Sequence, residues 1–504
     1  MKKLACLLLV FLLLIAYVPS MADNGAVNWY EVFVRSYQDS DGDGIGDLQG
    51  LISRLDYIAD MGWDGLWLMP VMPSPSYHKY DVIDYYDIDS EYGTLEDMRM
   101  LISEAHERGI EIIIDMVINH TSTQHPWFRT ACAALREGKE SPYIAYYNFQ
   151  QHAESAFINV QGTDWYYEER FSGGAMPDLN LENEQVWEEL RKIAAFWLND
   201  MGVDGFRLDA VTSYHTNNTD KNVKALSRFK AICEELKEGS YLVGECWAGL
   251  SVIAEYYQSG IDSFFLFPAS QAEGFIASSM RGRSGHAEKF AKSYQNVLEA
   301  IPEGILAPFL SNHDTGRTIG SVQGRSNIPI AKFVEGVLNM MTGRVFTYYG
   351  EEIGMVGSGD DPNKRLAMYW SDKDMTTQPP GVTQLEYAYP SWEKQAEDPS
   401  SLLNYCKTLY HVRKAFPMIA DGKNEFVYVD SELLLMRRIL ENESCLIAMN
   451  FSGKSAGSLV LNKSAAIAAD IETGTEQAEL AEDGLTLSLP PYGIVILTEG
   501  EEIK

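Results

Sequence analysis

Residues 110–120 read IEIIIDMVINH. The apolar residues run on without the alternation of a strand that has one wet face. Residues 110–117 therefore read as a strand buried on both sides, as the inner strands of a parallel barrel are. The run then passes into Asn119 and His120, polar groups at its carboxyl end. Three later segments have the same form: GFRLDA at 205–210, GECW at 244–247 and FLSNHD at 309–314. In a barrel of parallel strands every strand ends at one rim, so residues distant in sequence meet there in one pocket.

Outward from this strand, apolar runs alternate with amphipathic helical segments, the pattern of repeated βα units. Strands are expected at 29–37, 65–69, 110–117, 203–208, 241–244, 262–267, 306–310 and 345–349, with helices at 48–61, 94–108, 184–201 and 402–415. Thr94 and Asp97 are spaced as a capping box at the head of one of these helices. Eight such strands make the fold class α/β, a (β/α)8 TIM barrel. The alternation stops over 121–182, rich in aromatics, Asn, Gln and Gly without a sustained period. That is too long for a loop and is expected to be a small inserted domain after the third strand. Short alternating runs at 426–429, 433–439, 445–450 and 494–497 predict a C-terminal antiparallel β-sandwich. The barrel thus takes 23–120 and 183–415, the inserted domain 121–182 and the sandwich 416–504.

The four strand-end segments place three carboxylates, Asp209, Glu245 and Asp314, at one rim, with Arg207, His120 and His313 around them. Carboxyl groups flanking one bond are what glycoside hydrolysis requires. Arg207 and Asp209 are two residues apart, so their side chains share the barrel-inward face, and the guanidinium keeps Asp209 ionised, as a nucleophile must be. Glu245 stands between Val243 and Trp247, apolar neighbours expected to raise its pKa and make it the general acid, then base. Trp67, Trp187 and Trp197 read as core.

With these four segments in this order and spacing, the chain resembles the α-amylase family, glycoside hydrolase family 13. The resemblance implies that Asp209 is the nucleophile and that Asp314 grips sugar hydroxyls and stabilises the oxocarbenium-like transition state. It also implies that His120 and His313 hydrogen-bond the sugar in the cleavage subsite. In the segment YHKYD (77–81), His78 and Tyr80 match a histidine of the family and a tyrosine that stacks beneath the same sugar.

A second group lies at Asp39, Asp41, Asp43, Gly44, Ile45 and Asp47. Oxygen ligands at alternate positions with glycine in sixth place match the first half of an EF-hand loop, although Gly50 and not glutamate holds the twelfth. The loop is expected to bind Ca2+, as some family members do. Asn119 resembles an asparagine that binds another calcium between barrel and inserted domain in many amylases. Those amylases follow the nucleophile with a Lys-His pair; this chain has Thr212 and Ser213 there, which leaves the second site open.

The resulting expectation is a secreted, monomeric, calcium-binding α-amylase that hydrolyses internal α-1,4 bonds of starch and maltooligosaccharides with retention. Ala210 after the nucleophile and His78 are amylase-like. MPDLN (176–180) lies between the versions of oligo-1,6-glucosidases and neopullulanases, while YYGEEIGM (348–355) and KRLAMYW (364–370) lean toward the former. An α-glucosidase or oligo-1,6-glucosidase, a cyclomaltodextrinase or neopullulanase, and a glucanotransferase stay open. Intact Asp209, Glu245 and Asp314 argue against a non-enzymatic carbohydrate-binding subunit on a dead barrel.

Composition agrees with this. Forty basic and 72 acidic side chains give a formal charge of −32, with no basic block to hold nucleic acid. Residues 1–22 carry Lys2 and Lys3, an apolar run and small residues, a cleaved secretory signal with no membrane anchor left after cleavage. Of the six cysteines, Cys132, Cys233, Cys246, Cys406 and Cys445 follow it, an odd number without paired spacing, expected to be buried thiols.

Overall fold

The computed structural model describes residues 25–499 apart from 172, 283, 323–326, 455–456 and 472–476; the signal expected over 1–22 lies outside them. Strands β1 (Asn28–Val32), β2 (Gly65–Leu68), β3 (Glu111–Met116), β4 (Gly205–Leu208), β5 (Tyr241–Gly244), β6 (Ser263–Phe265), β7 (Ile305–Ala307) and β8 (Val345–Tyr348) form one parallel sheet in chain order, with β8 returning beside β1. A parallel bridge between Phe309 and Phe346 joins the β7 side to β8 and closes the ring. All eight expected strands are present, most of them shorter than the apolar runs that announced them. The chain leaves β1 after Val32 and turns through a 3-10 segment at Val34–Ser36, so the strand expected to reach 37 ends early.

Alternation along each strand sorts its side chains. Trp29, Trp67, Ile113, Val243, Phe265, Ala307 and Phe346 pack together inside the barrel. Tyr30, Leu66, Ile112, Phe206, Leu242 and Phe264 face the surrounding helices in the larger core. Gly65 has no side chain because a Cβ there would meet the Trp29 ring at 2.3 Å; the missing atom lets the indole lie across the lumen. Thr94 and Asp97 make both bonds of a capping box on the helix Leu95–Glu107. The helix expected over 48–61 is two, Leu48–Ser53 and Leu55–Met61, broken where Arg54 leaves helical geometry and its guanidinium reaches Asp374 at 2.6 Å. The helix expected over 184–201 is α-helical through Ala195 and widens to a π-turn over Phe196–Met201.

The inserted segment has more regular structure than its sequence suggested. His125 caps a helix, Pro126–Glu137, that buries Phe128, Ala131 and Cys132 on one face and ends at Gly138. Strands Phe149–Gln150, Tyr166–Glu168 and Phe157–Asn159 form a small antiparallel sheet. The bridge from His120 to Asp178 and the Leu179 N–H on the Asn119 carbonyl tie this segment to the rim, while a bridge from Tyr147 to Leu179 joins its own two ends. At the C-terminus five antiparallel strands (Lys423–Val429, Leu433–Leu440, Glu443–Asn450, Ile494–Glu499 and Ala465–Ile471) face a three-stranded sheet across a core that includes Leu433, Leu435, Leu446, Leu487 and Val495. The alternate residues Leu434, Met436, Ile447, Met449 and Ile496 join the barrel's outer core, so the middle of the larger sheet is buried on both faces. Cys132, Cys233, Cys246, Cys406 and Cys445 are buried free thiols. Among the described residues no helix is long and apolar enough to cross a membrane.

Candidate active site

Two residues beyond the apolar filling, the same strands present charge: Glu31 follows Trp29, Asp115 follows Ile113, Arg207 follows Gly205 and Glu245 follows Val243. Arg207 is the hub. Its Nη1 donates to Asp115 Oδ1 at 2.6 Å and to Asp209 Oδ1 at 2.7 Å, and its Nη2 lies 3.1 Å from Glu245 Oε1 without hydrogen-bond alignment. The guanidinium is wholly buried, 5.2 Å above the Trp67 ring, whose Nε1–H donates to Asp115 Oδ2 at 3.2 Å. A buried cation of this kind is stable only when carboxylates surround it, and here three do.

Asp209 and Glu245 are each 7 % exposed, enough to meet a ligand from the rim side. Burial pushes the Glu245 carboxyl up to about 7, with the charges of Asp209 and Asp314 adding and Arg207 opposing. A carboxyl in that range holds a proton near neutrality, as a general acid must. The expected apolar partner Trp247 plays a smaller part: it is 51 % exposed and stacks on Phe267 at 4.9 Å, so the lumen and not that indole desolvates Glu245. The N–H of Ala210, whose φ is 48°, donates to Glu245 Oε2 at 3.0 Å and fixes the carboxyl beside the loop that carries Asp209.

Asp314 is held from two sides. His313 Nε2 lies 3.1 Å from its Oδ2, and Arg365 Nη2 donates to its Oδ1 at 2.6 Å. Burial would raise its pKa, but His313 and Arg365 outweigh that and hold it well below the usual carboxylate range. Tyr80 lies parallel to His313 at 5.4 Å, its hydroxyl 2.6 Å from His313 Nε2 and donating to Asp115 at 3.1 Å. His120 is buried, its Nε2 has no protein partner, and burial lowers its pKa, leaving a neutral ring with one polar atom unused. His78 is half-buried; its Nδ1 accepts the Tyr80 N–H at 3.2 Å, and burial, then Arg365, lower its pKa.

The structure therefore gathers Asp209, Glu245, Asp314, Arg207, Tyr80, His313, His120 and His78 about one rim. Sequence reasoning assigned no part to Glu31, Asp115 or Arg365. For the first two a signal existed, a lone acid inside an otherwise apolar strand on the inward register. Arg365 sits in an irregular stretch where no periodicity points inward, and Trp67, read as core, is core that also bonds the charge layer.

On the rim after β1, Asp39, Asp41 and Asp43 offer oxygens within 4.8 Å of one another, the group among the described residues able to gather three ligands for a cation. Gly44 has φ 92°, and a Cβ there would meet Thr377 at 2.6 Å, so the turn needs glycine. The Ile45 N–H donates to Asp43, leaving its carbonyl as the atom it could offer a cation. Asp47 stands apart from the group: it caps the helix Leu48–Ser53 through the Gly50 N–H and accepts from Ser40. The donor set fits a hard cation such as Ca2+. At the seam with the inserted domain, Asn119 donates to Asp178 Oδ1 at 3.1 Å, and that carboxyl, pushed up to about 7 by burial, also accepts the Arg170 N–H.

Comparison with known proteins gives three findings. Residues 31–422 match the family model described as "Alpha amylase, catalytic domain". The chain is 37 % identical to Alpha-amylase 3 of Dictyoglomus thermophilum over 446 residues, 84 % of each chain, and 28 % identical to an Oligo-1,6-glucosidase of Parageobacillus thermoglucosidasius, covering 84 % of this chain and 90 % of that one. The solved structure of Eubacterium rectale Amy13B superposes with a TM-score of 0.92 at 40 % identity, covering 97 % of this chain and 98 % of that one.

Proposed function

The chain belongs to the α-amylase family, and on that premise we propose that it is a secreted, calcium-stabilised α-amylase cleaving internal α-1,4 bonds of starch and maltooligosaccharides with retention. The observation that carries the chemistry is one buried guanidinium reaching both Asp209 and Glu245, beside an Asp314 held anionic by His313 and Arg365. Glu245 protonates the departing oxygen as Asp209 attacks the anomeric carbon. The deprotonated Glu245 then takes a proton from water, which releases the sugar from Asp209. Tyr80, His120 and Asp314 hold the sugar on the donor side, and the half-exposed Trp247 offers a ring face to the departing chain.

Products from soluble starch, maltotriose, panose, pullulan and a cyclodextrin, resolved by chromatography, test this reading. Early release of mixed maltooligosaccharides as α-anomers is expected. An initial β-anomer would exclude retention, and preference for panose over maltotriose would move the protein to the oligo-1,6-glucosidases. Substitution Ala210→Val is a poorer probe of linkage, because φ 48° strains a β-branched residue. Amino-terminal sequencing of the exported protein should begin at Asp23.

The calcium proposal rests on Asp39, Asp41 and Asp43. Three carboxylates so close repel one another when no cation is bound, so Ca2+ should stabilise the fold by mass action. Chelation should lower the melting temperature, and the double substitution Asp41→Ala, Asp43→Ala should abolish most of that response. An undiminished response would move the metal elsewhere.

A further inference from the structure

Glu31 is a carboxylate sealed inside the barrel behind the reacting groups. It is 1 % exposed on β1, and its Oε1 lies 2.6 Å from His313 Nδ1 and accepts the His313 backbone N–H at 3.3 Å. On the other side of the same ring, Nε2 faces two oxygens, Tyr80 Oη at 2.6 Å and Asp314 Oδ2 at 3.1 Å. The Asp314 carboxylate has no proton to give, so its contact with Nε2 needs the proton on the histidine, and the Tyr80 hydroxyl is then left to donate to Asp115 Oδ2 at 3.1 Å. Nδ1 likewise needs a proton to meet a carboxylate. Both ring nitrogens therefore act as donors, and only imidazolium has two.

We propose that Glu31 is a positioning residue of the reaction: from behind the site it holds His313 doubly protonated, so that the ring fixes Asp314 as an anion aimed at the sugar. This rests on the reading of Asp314 as the group that grips sugar hydroxyls. His313 is packed from several sides by ionisable groups: Glu31 from β1, Tyr80 from the segment after β2, Asp115 and Arg207 at the ends of β3 and β4, Glu245 after β5, and Asp314 and Arg365 from the rim. Burial works against a charge on the ring. Asp314 and Glu31 outweigh it and push the ring's pKa up to about 9. Without Glu31, Asp314 alone would have to hold that proton while also meeting substrate. Trp67, edge-on to the ring at 5.7 Å, closes the remaining side.

The test reads the ring directly. In protein labelled with 15N-histidine, the His313 signals are identified by their loss in His313→Gln. At pH 7.5 the wild type should show two protonated ring nitrogens; a neutral ring would overturn the proposal whatever the enzyme's substrate. Glu31→Gln keeps the shape and removes the charge, and should lower the His313 midpoint by about two to three pH units, into the range of an ordinary imidazole. Its kcat/KM relative to wild type should fall about tenfold at pH 7.5 and recover to within about threefold near pH 5, where the ring is again protonated. An unmoved midpoint, or a loss equal at both pH values, would reduce Glu31 to a packing residue. If the variant does not fold, the wild-type spectrum alone decides. If the wild type shows the imidazolium but hydrolyses no α-glucan, the proposed function fails and the Glu31–His313 pair stands.

Discussion

Trp29, Ile113, Gly205 and Val243 fill or line the middle of the barrel; Glu31, Asp115, Arg207 and Glu245, two residues further along the same four strands, line its mouth. The two levels share backbone, inward direction and burial, and differ in what the side chains do with it. In the lower level burial is favourable for its own sake, at about 25 cal/mol per Å2 of apolar surface. In the upper level burial is costly to each charge taken singly and is offset only because opposite charges meet, Arg207 with Asp115, Asp209 and Glu245, and Glu31 with His313. The lower level gives the upper one its strength, since a dry floor removes the water that would otherwise screen these charges. Trp67 belongs to both, its ring in the apolar filling and its N–H on Asp115.

The sharpest way to separate the levels is to change charge without shape. Asp209→Asn and Glu245→Gln should each reduce kcat by several orders of magnitude while the protein stays folded. Near-normal hydrolysis of maltotriose by either would end the assignment of the upper level as the catalytic one. The converse change is Ile113→Ala, expected to cost about 2–5 kcal/mol of stability in denaturant unfolding and to leave kcat within about threefold. A large kcat loss at unchanged stability would mean that the filling tunes the chemistry itself.

A third change concerns the price of keeping Glu245 ready. Its carboxyl is pushed up to about 7 in the folded protein, above the ordinary value of 4.5, so the protonated form is favoured in the native state. That contribution to stability is complete below the unfolded pKa and is lost as pH rises through the folded one. Glu245→Gln should therefore be more stable than wild type above neutrality by about 1–3 kcal/mol, with no advantage near pH 4. A melting-temperature difference that does not change between pH 4 and pH 8 would contradict this. The smallest expected effect is at the seam between the levels. Trp67→Phe keeps a ring under Arg207 and removes the N–H from Asp115, and a loss of about tenfold or less in kcat is expected from one buried hydrogen bond. No change at all would place Trp67 wholly in the lower level.

Sequence alone made the barrel and most of the mouth legible, because both are written in the same alternation. Ile113 and Asp115 share a face by register, and so do Arg207 and Asp209. What periodicity could not show was contact between strands far apart in the chain: the Glu31 carboxylate meeting His313 is a separation of 282 residues. Arg365 was hidden for another reason, since irregular backbone sets its direction by local turns that no repeat announces. The helix Pro126–Glu137 was obscured by aromatic-rich surroundings, although His125, Pro126 and Gly138 mark its ends. The Asp39–Asp43 group was local enough to be read directly.

The strands Leu433–Leu440 and Glu443–Asn450 are apolar on both faces over their middles, one side against the small sheet and the other against the barrel. A strand of that kind carries little record of which face belongs where: sliding it by one residue would trade Leu434 for Leu433 and Met436 for Leu435 with scarcely a change in hydrophobic content. The information that prevents such a slip has to be polar and singular. Arg438 supplies it, reaching from this strand to the Met340 carbonyl at 2.6 Å and to the Tyr294 hydroxyl at 3.1 Å on the barrel. One guanidinium thus serves as the alignment pin of the whole terminal sheet, and an apolar residue in its place would leave the sheet attached but free to seat itself in the wrong frame.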